Sequence, residues 1–428
     1  MDTSKLTDRL RGIVKPPGRS VAGLGAGLTV PGPAAAHALE DVLGGEWREE
    51  AGHRAFVVER RLDAGARHGR VAIGDLASVH HRSAAHAPTL GAGAPARPPF
   101  VFFDLETTGL SGGAGTHAFL VGCGWFTEDG AFVTRQYLMT AFEDERPMLE
   151  SVTREIARAG TLVSFNGKSF DAPVLETRYL FHRLAWCGAR LPHIDVLHPA
   201  RRFWRDDRPV VDDGSSCSLT ALEGQVLGVR RVGDVPGFEI PARYFQFIRS
   251  GDGRPLAAVL EHNRLDLISL AGLHARLLHL IGDGPATARD AREALALGRV
   301  YTRSGLDARA NEAFEHVLLM HCSTTIRIES LRFLACAARR SRRYEEAAAR
   351  WRQVLEVPGC PPHVAREATE ALAIYHEHRV RDLAAARSFA LRSLEGAAQP
   401  AWNDAVRHRL ARIERKIERA EEPGRLAY

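Results

Sequence analysis

Hydrophobic and polar positions alternate between strand-like and helix-like patterns over residues 100–280. Short apolar runs bounded by turn residues predict strands, and apolar positions three and four apart predict helices. Three strands in hairpin order, followed by helix, strand and helix, indicate a mixed sheet with flanking helices and hence the α/β class. In chain order, the predicted elements are strands 100–103, 118–126 and 131–138, helix 145–159, strand 161–165 and helix 172–186.

From about residue 288 onward the pattern is helical and repetitive. Segments 307–318, 344–355 and 383–394 begin 37 and 39 residues apart, and each has Ala at its fourth position and Leu at its twelfth. Small residues where helices cross and large ones in the groove are what stacked helix pairs need. The spacing is close to the tetratricopeptide (TPR) period of about 34 residues, which predicts an all-α TPR-like helical-repeat domain.

Composition predicts the other divisions of the chain. A basic stretch rich in Pro and Gly is expected to be flexible. It precedes a small accessory element with a helix near 36–43 and a strand near 55–60. The flexible N-terminal segment, the accessory element with its linker, the α/β domain and the helical-repeat domain are predicted at residues 1–35, 36–98, 99–283 and 284–428.

The predicted linker, residues 78–98, is rich in Ala, Gly, Pro and His. Such a composition is typical of a segment without regular structure. We therefore expect His80, His81 and His86 to be solvated, with metal binding as the alternative.

Overall composition describes a globular protein, with 428 residues of which 45% are hydrophobic and 25% charged. The formal charge of +5 fits a polyanionic partner such as nucleic acid. Arginine supplies almost all of the positive charge, which either phosphate recognition or a GC-rich coding bias explains. The six cysteines lack a CxxC pair, which argues against a disulfide framework or a zinc site. Without a signal-peptide core or an uninterrupted apolar run of about 20 residues, we expect a soluble cytoplasmic protein with no membrane partner.

Two carboxylates follow the first predicted strand. Asp104 and Glu106 come directly after an apolar run and directly before the turn signal that begins at Thr107. Residues two apart on a strand project to the same side, so the two acidic side chains lie together. Like charges held that close repel unless a cation sits between them, and Mg²⁺ takes carboxylate oxygens as ligands. The pattern predicts half of a metal site.

A second acidic position follows the predicted strand 161–165. There a turn containing Asn166 and Lys168 leads to Asp171, which begins the next helix. Helix capping would explain Asp171 taken alone, and turn chemistry would explain Asn166. Alternatively, Asp171 is a metal ligand, and Asn166 and Lys168 hold a phosphate or a strand end.

A third position pairs His262 with Asp266 on a predicted helix. Residues four apart share a helix face, so an imidazole and a carboxylate lie one turn apart. They could serve as a general base and a metal ligand, or they could be an ordinary surface pair. Asp195, after the second helix, is either a supporting residue of the site or a strand-end residue.

Three sequence phrases carry a family resemblance. They are DLETTGLSGGAG, FNGKSFD and LEHNRLD, at residues 104–115, 165–171 and 260–266. In order and context they resemble the DEDD 3′–5′ exonucleases of the RNase H-like superfamily, and more closely the YprB-type RNase H-like domain. The resemblance covers roughly residues 40–280, and some members of that group also have a helical-repeat tail.

The resemblance implies a metal-dependent nuclease with two Mg²⁺ or Mn²⁺ ions. In that family pattern Asp104 bridges both ions, Glu106 and Asp266 complete the shell of one, and Asp171 serves the other. His262 would orient or deprotonate the attacking water. The residues expected to hold the terminal nucleotide are Thr107, Asn166 and Lys168.

One departure from the family pattern concerns His262. Its spacing to Asp266 is that of the subclass with tyrosine at this position, so the histidine stands where that subclass has its tyrosine. A 3′–5′ exonuclease acting on single-stranded DNA or RNA is the main hypothesis, and a slow or inactive nucleic-acid-binding module on a repeat scaffold is the alternative. The helical repeats suggest a protein partner as well.

Overall fold

The computed structural model describes residues 39–50, 53–91, 95–109, 115–205, 217–394 and 400–421. The predicted flexible segment, residues 1–35, lies outside these ranges, as does most of the glycine-rich end of the first sequence phrase. The strands are β1 (Glu46–Glu50), β2 (His53–Leu62), β3 (Arg67–His68), β4 (Val71–Ala72), β5 (Phe100–Thr107), β6 (Ala118–Phe126), β7 (Phe132–Leu138), β8 (Thr161–Ser164) and β9 (His193–Asp195).

Within the described residues, seven strands form one mixed sheet in the order β1-β2-β7-β6-β5-β8-β9. The pairs β1–β2, β2–β7, β7–β6 and β6–β5 are antiparallel, whereas β5–β8 and β8–β9 are parallel. β3 and β4 pair separately. The predicted RNase H-like mixed sheet is confirmed, and β6 has the bounds that the apolar pattern predicts.

Helices cover this sheet. Those of the α/β part are α1 (Ile73–Ser83), α2 (Ala87–Leu90), α3 (Glu145–Ala157), α4 (Asp171–Phe181), α5 (Leu197–Trp204), α6 (Leu219–Leu222), α7 (Ile240–Ser250) and α8 (Arg254–Asp283). Phe100 and Phe102 of β5 pack into one core and Phe103 into another, as the period of two along a strand requires. α8 contributes residues to both cores, so its middle lies over the sheet.

α8 has the length and composition of a membrane-spanning helix, with a mean hydropathy of 1.3 over its most apolar 18-residue window. Most of that window, 72%, is buried inside the fold. The uninterrupted apolar run sought in the sequence does not occur here, because Asp266, His274 and Arg276 fall within the helix. Burial against the sheet accounts for the apolar composition of α8.

The prediction of a linker over residues 78–98 is wrong for its first half. α1 continues to Ser83 and α2 follows, and α1 buries Ile73, Leu76 and His80 on one face. His80 is 6% exposed, and its Nε2 lies 3.0 Å from Nδ1 of the fully buried His274. The buried residues of α1 are spaced three and four apart, as in a helix. The sequence pattern hides the helix because histidine and alanine occupy positions where Leu or Ile would have indicated it.

The burial of His80 predicts a loss of stability in acid. Burial lowers the pKa of His80 to about 4, below the value of about 6.5 expected in the unfolded chain. Between these two values the unfolded state binds a proton that the folded state does not. As pH falls from 6.5 to 4, we therefore expect His80 to lower the free energy of unfolding by about 3 kcal/mol.

Urea unfolding at several pH values measures this effect. In His80→Leu the free energy of unfolding should decline less steeply with falling pH than in the wild type. The matched control is His81→Leu, at the exposed neighbouring position, and it should follow the wild-type curve. Equal slopes for the wild type and His80→Leu would contradict the assignment.

The C-terminal helices confirm the predicted helical region. They are α9 (Ala291–Arg303), α10 (Asp307–Leu319), α11 (Thr324–Arg340), α12 (Tyr344–Glu356), α13 (Pro362–Tyr375), α14 (Leu383–Ser393) and α15 (Pro400–Glu421). Each aligned alanine, Ala310, Ala347 and Ala386, is buried where neighbouring helices pack. The hydrophobic core runs without a break from Phe100 in the sheet to Phe314 in α10. Membership of the TPR family itself stays a prediction.

Candidate active site

The centre of the site is the end of β5. Asp104 pairs across the sheet with Gly122 of β6, and α8 passes over this point. Asn263 of α8 donates from Nδ2 to Oδ2 of Asp104 at 2.8 Å. A Cβ at position 122 would lie 2.2 Å from Oδ1 of Asn263, so only glycine lets α8 approach this closely.

Asn263 is itself fixed in orientation. Gln136 of β7 donates from Nε2 to Oδ1 of Asn263 at 2.9 Å and to the carbonyl of Leu260 at 2.7 Å. The two amides of the chain Gln136–Asn263–Asp104 are buried and Asp104 is half-buried, and each amide has a defined role in the chain. This arrangement holds the carboxylate of Asp104 in place.

Asp171 lies at the first residue of α4, where a turn from β8 delivers it. The preceding cap residue, Phe170, makes no side-chain capping bond, and Asp171 is inside the helix rather than at its cap. A Cβ at Gly167 would lie 2.9 Å from Oδ2 of Asp171 and 2.5 Å from Oγ of Ser164, so the turn folds tightly against the carboxylate. Helix capping therefore does not explain Asp171.

Asp195, at the end of β9, organises that turn. Its carboxylate accepts backbone N–H bonds from Asn166 at 2.7 Å, from Lys168 at 3.1 Å and from Leu197 at 3.1 Å. Asn166 has a φ of +65°, in the left-handed region that asparagine tolerates. Asp195 is thus a strand-end residue that holds the turn before Asp171, and its role in the site stays a prediction.

His262 and Asp266 share one face of α8, as their spacing predicts. Nε2 of His262 lies 3.6 Å from Oδ2 of Asp266, and both side chains are mostly buried. They are therefore not an ordinary surface pair. Nδ1 of His262 lies 2.7 Å from Oδ1 of Asp234, a residue of the irregular segment before α7.

Arg231 of the same segment also reaches Asp266. Its guanidinium donates to Asp266 and, at 2.6 Å and 2.8 Å, to Glu223. A further bond of 3.1 Å joins it to Asp234. The sequence gives no periodic signal for Arg231 or Asp234, since they lie outside the helices and strands, and Glu223 lies in the short helical turn that continues α6. Asn263 had a signal, because it interrupts the buried stripe of α8 with a polar side chain.

The predicted acidic residues influence one another electrostatically. Burial, followed by the charges of Asp266, Asp171 and Glu106, raises the pKa of Asp104 well above its usual range. Burial, followed by Asp266 and Asp171, does the same to the pKa of Glu106. Burial, followed by Asp195 and Asp266, raises the pKa of Asp171 to about 7, and burial raises that of Asp266. The fold thus concentrates negative charge that only protons or a cation can neutralise.

The described residues do not form an assembled metal site. Across the described ranges, no group of three or more His, Cys, Asp or Glu side chains is arranged to hold an ion. Asp104 is engaged with Asn263 and Asp266 with Arg231. The four acidic residues are therefore brought into one region without being closed into a ligand shell, and their role as ligands stays a prediction.

The predicted substrate residues border the same region. Thr107 ends β5, and its hydroxyl donates to the carbonyl of Gly109 at 2.8 Å. Asn166 is half-buried in the turn, and Lys168 is exposed beside it. Thr107 directly follows Glu106 in the chain, and Asn166 and Lys168 lie on the turn before Asp171. Their role in binding stays a prediction.

Comparison with known proteins identifies the family. The model of the RNase_H superfamily matches residues 101–278, from β5 to α8. The chain is 31% identical over 364 residues to the uncharacterized protein YprB of Bacillus subtilis (strain 168), and the alignment covers 82% of this chain and 83% of that protein. The chain belongs to the YprB family.

The YprB family relationship confirms the predicted resemblance to a YprB-type RNase H-like domain. The superfamily match contains all four predicted acidic residues and indicates a nuclease-type domain. Among solved structures, the family B DNA polymerase from the hyperthermophilic archaeon Pyrobaculum calidifontis aligns with a TM-score of 0.35 and 14% identity, over 67% of this chain and 34% of the polymerase. The chain thus spans about a third of the polymerase.

Proposed function

We propose that this YprB-family chain is a divalent-metal-dependent 3′–5′ exonuclease that hydrolyses phosphodiester bonds of single-stranded nucleic acid. The observation that carries the proposal is the half-buried acidic cluster of Asp104, Glu106, Asp171 and Asp266 on an RNase H-like sheet. Desolvation, followed by the charges of neighbouring carboxylates, raises the pKa values of Asp104, Glu106 and Asp171. Such a cluster is unfavourable for folding by itself. A fold that keeps it is expected to use it with cations.

The donor set fits Mg²⁺ or Mn²⁺. Carboxylate oxygens are the ligands that hard divalent cations prefer, and the repulsion among these side chains is the energy that bound cations would relieve. The residues that would hold two ions are Asp104, Glu106, Asp171 and Asp266. When bound, such ions would supply activation of a water and neutralisation of charge on the phosphodiester.

The chain's own residues contribute orientation and proton transfer in this proposal. Asn263, fixed by Gln136, keeps the Asp104 carboxylate aimed into the site. His262, with its Nδ1 against Asp234, presents Nε2 on the side of Asp266 and would orient or deprotonate the attacking water. Thr107, Asn166 and the exposed Lys168 would hold the terminal nucleotide.

Digestion of labelled strands by the purified protein tests the proposal. Single-stranded DNA and RNA, each labelled at the 5′ end or the 3′ end, would be incubated with Mn²⁺, with Mg²⁺ or with a chelator. A 3′–5′ exonuclease produces a ladder from the 5′-labelled strand and releases a mononucleotide at once from the 3′-labelled strand, and only with metal. Full-length strands under every condition would contradict the proposal.

A non-catalytic nucleic-acid-binding module is the second candidate. It is favoured by the bond between Arg231 and Asp266, which neutralises a predicted metal ligand. His262, which stands where one subclass of the DEDD exonucleases has a tyrosine, agrees with it. Metal-independent binding of labelled strands without turnover, measured by fluorescence anisotropy beside the digestion assay, would support this candidate.

Asp195→Ala is predicted to reduce hydrolysis without abolishing metal binding. Three backbone N–H groups of the described residues would lose their acceptor, so the turn that delivers Asp171 would loosen. Loss of a residue that supports a metal ligand typically costs about 10–100-fold in activity. We expect such a decrease in the rate of strand digestion, with a clear response to Mn²⁺ retained.

Asp129→Ala, on the turn between β6 and β7, is the matched control for Asp195→Ala. Asp129 is exposed and pairs with Arg61 of β2. It follows the C-terminal end of β6, whereas the site lies near the N-terminal end of that strand. Its replacement should leave the digestion rate at the wild-type level. A wild-type rate for Asp195→Ala would show that the turn does not depend on this carboxylate.

A further inference from the structure

Arg231 is a buried cation inside the acidic region. Its side chain is 4% exposed. Nε and Nη2 bind the two oxygens of Glu223, Nη1 binds Asp234, and Nη2 also binds Oδ1 of Asp266. One guanidinium therefore neutralises a predicted metal ligand and at the same time has two other anionic partners.

The position of Arg231 does not depend on Asp266. Glu223 is 1% exposed and binds the guanidinium with both oxygens, a fork geometry that fixes arginine firmly. Glu223 is anchored in turn by Ser269 of α8, which donates to it, and Oγ of Ser269 lies 2.8 Å from Nε2 of the buried His68. Arg231 would keep Glu223 and Asp234 if Asp266 turned away.

Asp266, by contrast, has both oxygens facing groups of the chain. Oδ1 accepts from Arg231, and Oδ2 is 3.6 Å from Nε2 of His262. A divalent cation that binds Asp266 must share the carboxylate with these groups. The bond to Arg231 is the one that opposes it, because two cations cannot share one carboxylate oxygen at close range without repulsion.

We propose that Arg231 is a resident counter-ion that competes with divalent metal for Asp266 and thereby weakens metal affinity at the site. The inference rests on the proposed function, since it needs the site to take a cation. Arg231 stabilises the metal-free protein by neutralising Asp266, and it withdraws onto Glu223 and Asp234 when the ion arrives. The bound ion is held less tightly than the carboxylates alone would hold it, and it exchanges readily with solvent.

A purely orienting role for Arg231 predicts the opposite. If Arg231 aimed Asp266 at the metal, as partners of metal ligands often do, its removal would weaken metal binding. The sign of the change in affinity therefore separates the two roles, independently of any assay of hydrolysis.

The test is calorimetric titration of the full chain with Mn²⁺. The variant is Arg231→Met together with Glu223→Gln, which removes the cation and the buried anion that it would leave uncompensated, so that net charge is unchanged. We expect Mn²⁺ to bind about tenfold more tightly than to the wild type. We also expect a lower melting temperature without metal, restored by Mn²⁺.

A matched control is Arg264→Met together with Glu261→Gln. These residues form an ion pair on the exposed side of α8, bonded at 2.6 Å and 2.8 Å, and the substitution changes charge in the same way. Its Mn²⁺ affinity should equal that of the wild type. An equal gain in the control would overturn the inference, because it would show a general effect of charge removal.

The outcomes separate this inference from the proposed function. Mn²⁺ binding by the wild type with equal or weaker binding by the Arg231 variant overturns the inference and leaves the proposed function standing. Absence of Mn²⁺ binding in the wild type and in the variant overturns both. If circular dichroism shows the double variant unfolded, Arg231→Lys replaces it, because a lysine cannot span Glu223 and Asp266 together. That variant should bind Mn²⁺ about threefold more tightly, and unchanged affinity would overturn the inference.

Discussion

Replacing Asp104 by asparagine is expected to abolish metal-dependent hydrolysis. Asp104 is central to the acidic cluster, since Asp266, Asp171 and Glu106 all act on its pKa. Charge stabilisation by metal is worth several kcal/mol in such reactions, so the rate should fall about a thousandfold or more. The measurement is digestion of a 5′-labelled single strand with Mn²⁺ in excess.

The same substitution should not unfold the protein. The half-buried carboxylate of Asp104 is repelled by its neighbours in the metal-free state, and a neutral amide of equal size removes that repulsion. The free energy of unfolding without metal should therefore stay equal or rise. Asp63→Asn, at an exposed ion pair with Arg61, serves as the control with wild-type hydrolysis. Activity of Asp104→Asn within tenfold of the wild type would reject the proposed site.

Glu145→Gln is expected to cause a large loss of stability. Glu145 and Arg178 are each 2% exposed in their side chains, and the carboxylate accepts from Nε of Arg178 at 2.6 Å. His182 lies 2.8 Å from the same carboxylate and His117 3.1 Å. Removing one charge of a buried pair typically costs about 3–5 kcal/mol. This cluster joins α3 to α4, and α4 carries Asp171.

Urea unfolding at neutral pH measures that loss. Glu239→Gln is the matched control, because Glu239 pairs with Arg243 at 3.2 Å and both side chains are far more exposed than those of Glu145 and Arg178. Exposed pairs contribute about 0–1 kcal/mol, so the control should unfold close to the wild type. A loss below about 1 kcal/mol for Glu145→Gln would show that the buried pair contributes no more than an exposed one.

Much of the sheet was predictable because its strands carry uninterrupted apolar runs. β6 has its predicted bounds, whereas β5 extends beyond the predicted end at residue 103 and includes Asp104 and Glu106. Asp171, after β8, lies near enough to both for its charge to raise their pKa values. α1 escaped prediction because His80 replaces an aliphatic residue in its buried stripe. Burial of a neutral histidine among aromatic rings cannot be inferred from composition.

The polar partners of the site were less accessible from sequence. Arg231 and Asp234 lie between Gly228 and Gly237 in a segment without helical or strand period, so their approach to α8 depends on the tertiary fold. The role of Asp195 in holding the turn is visible only from the backbone N–H groups that it binds. Spacing along the chain identifies side chains that share a helix or strand. Contacts between an irregular segment and a helix are set by the tertiary fold and leave no such pattern in the sequence.

The unbroken core between the sheet and the first repeat helices has a consequence for the evolution of this chain. Phe203 and Trp204 of α5 pack into the same core as Leu297 and Phe314, and Trp204 donates from Nε1 to Glu293 at 2.8 Å. The repeats are therefore not a detachable accessory that could be gained or lost by simple fusion. A protein that lost these helices would have to replace the apolar residues of the α/β domain that pack against them with polar ones. The two parts are therefore expected to be inherited together.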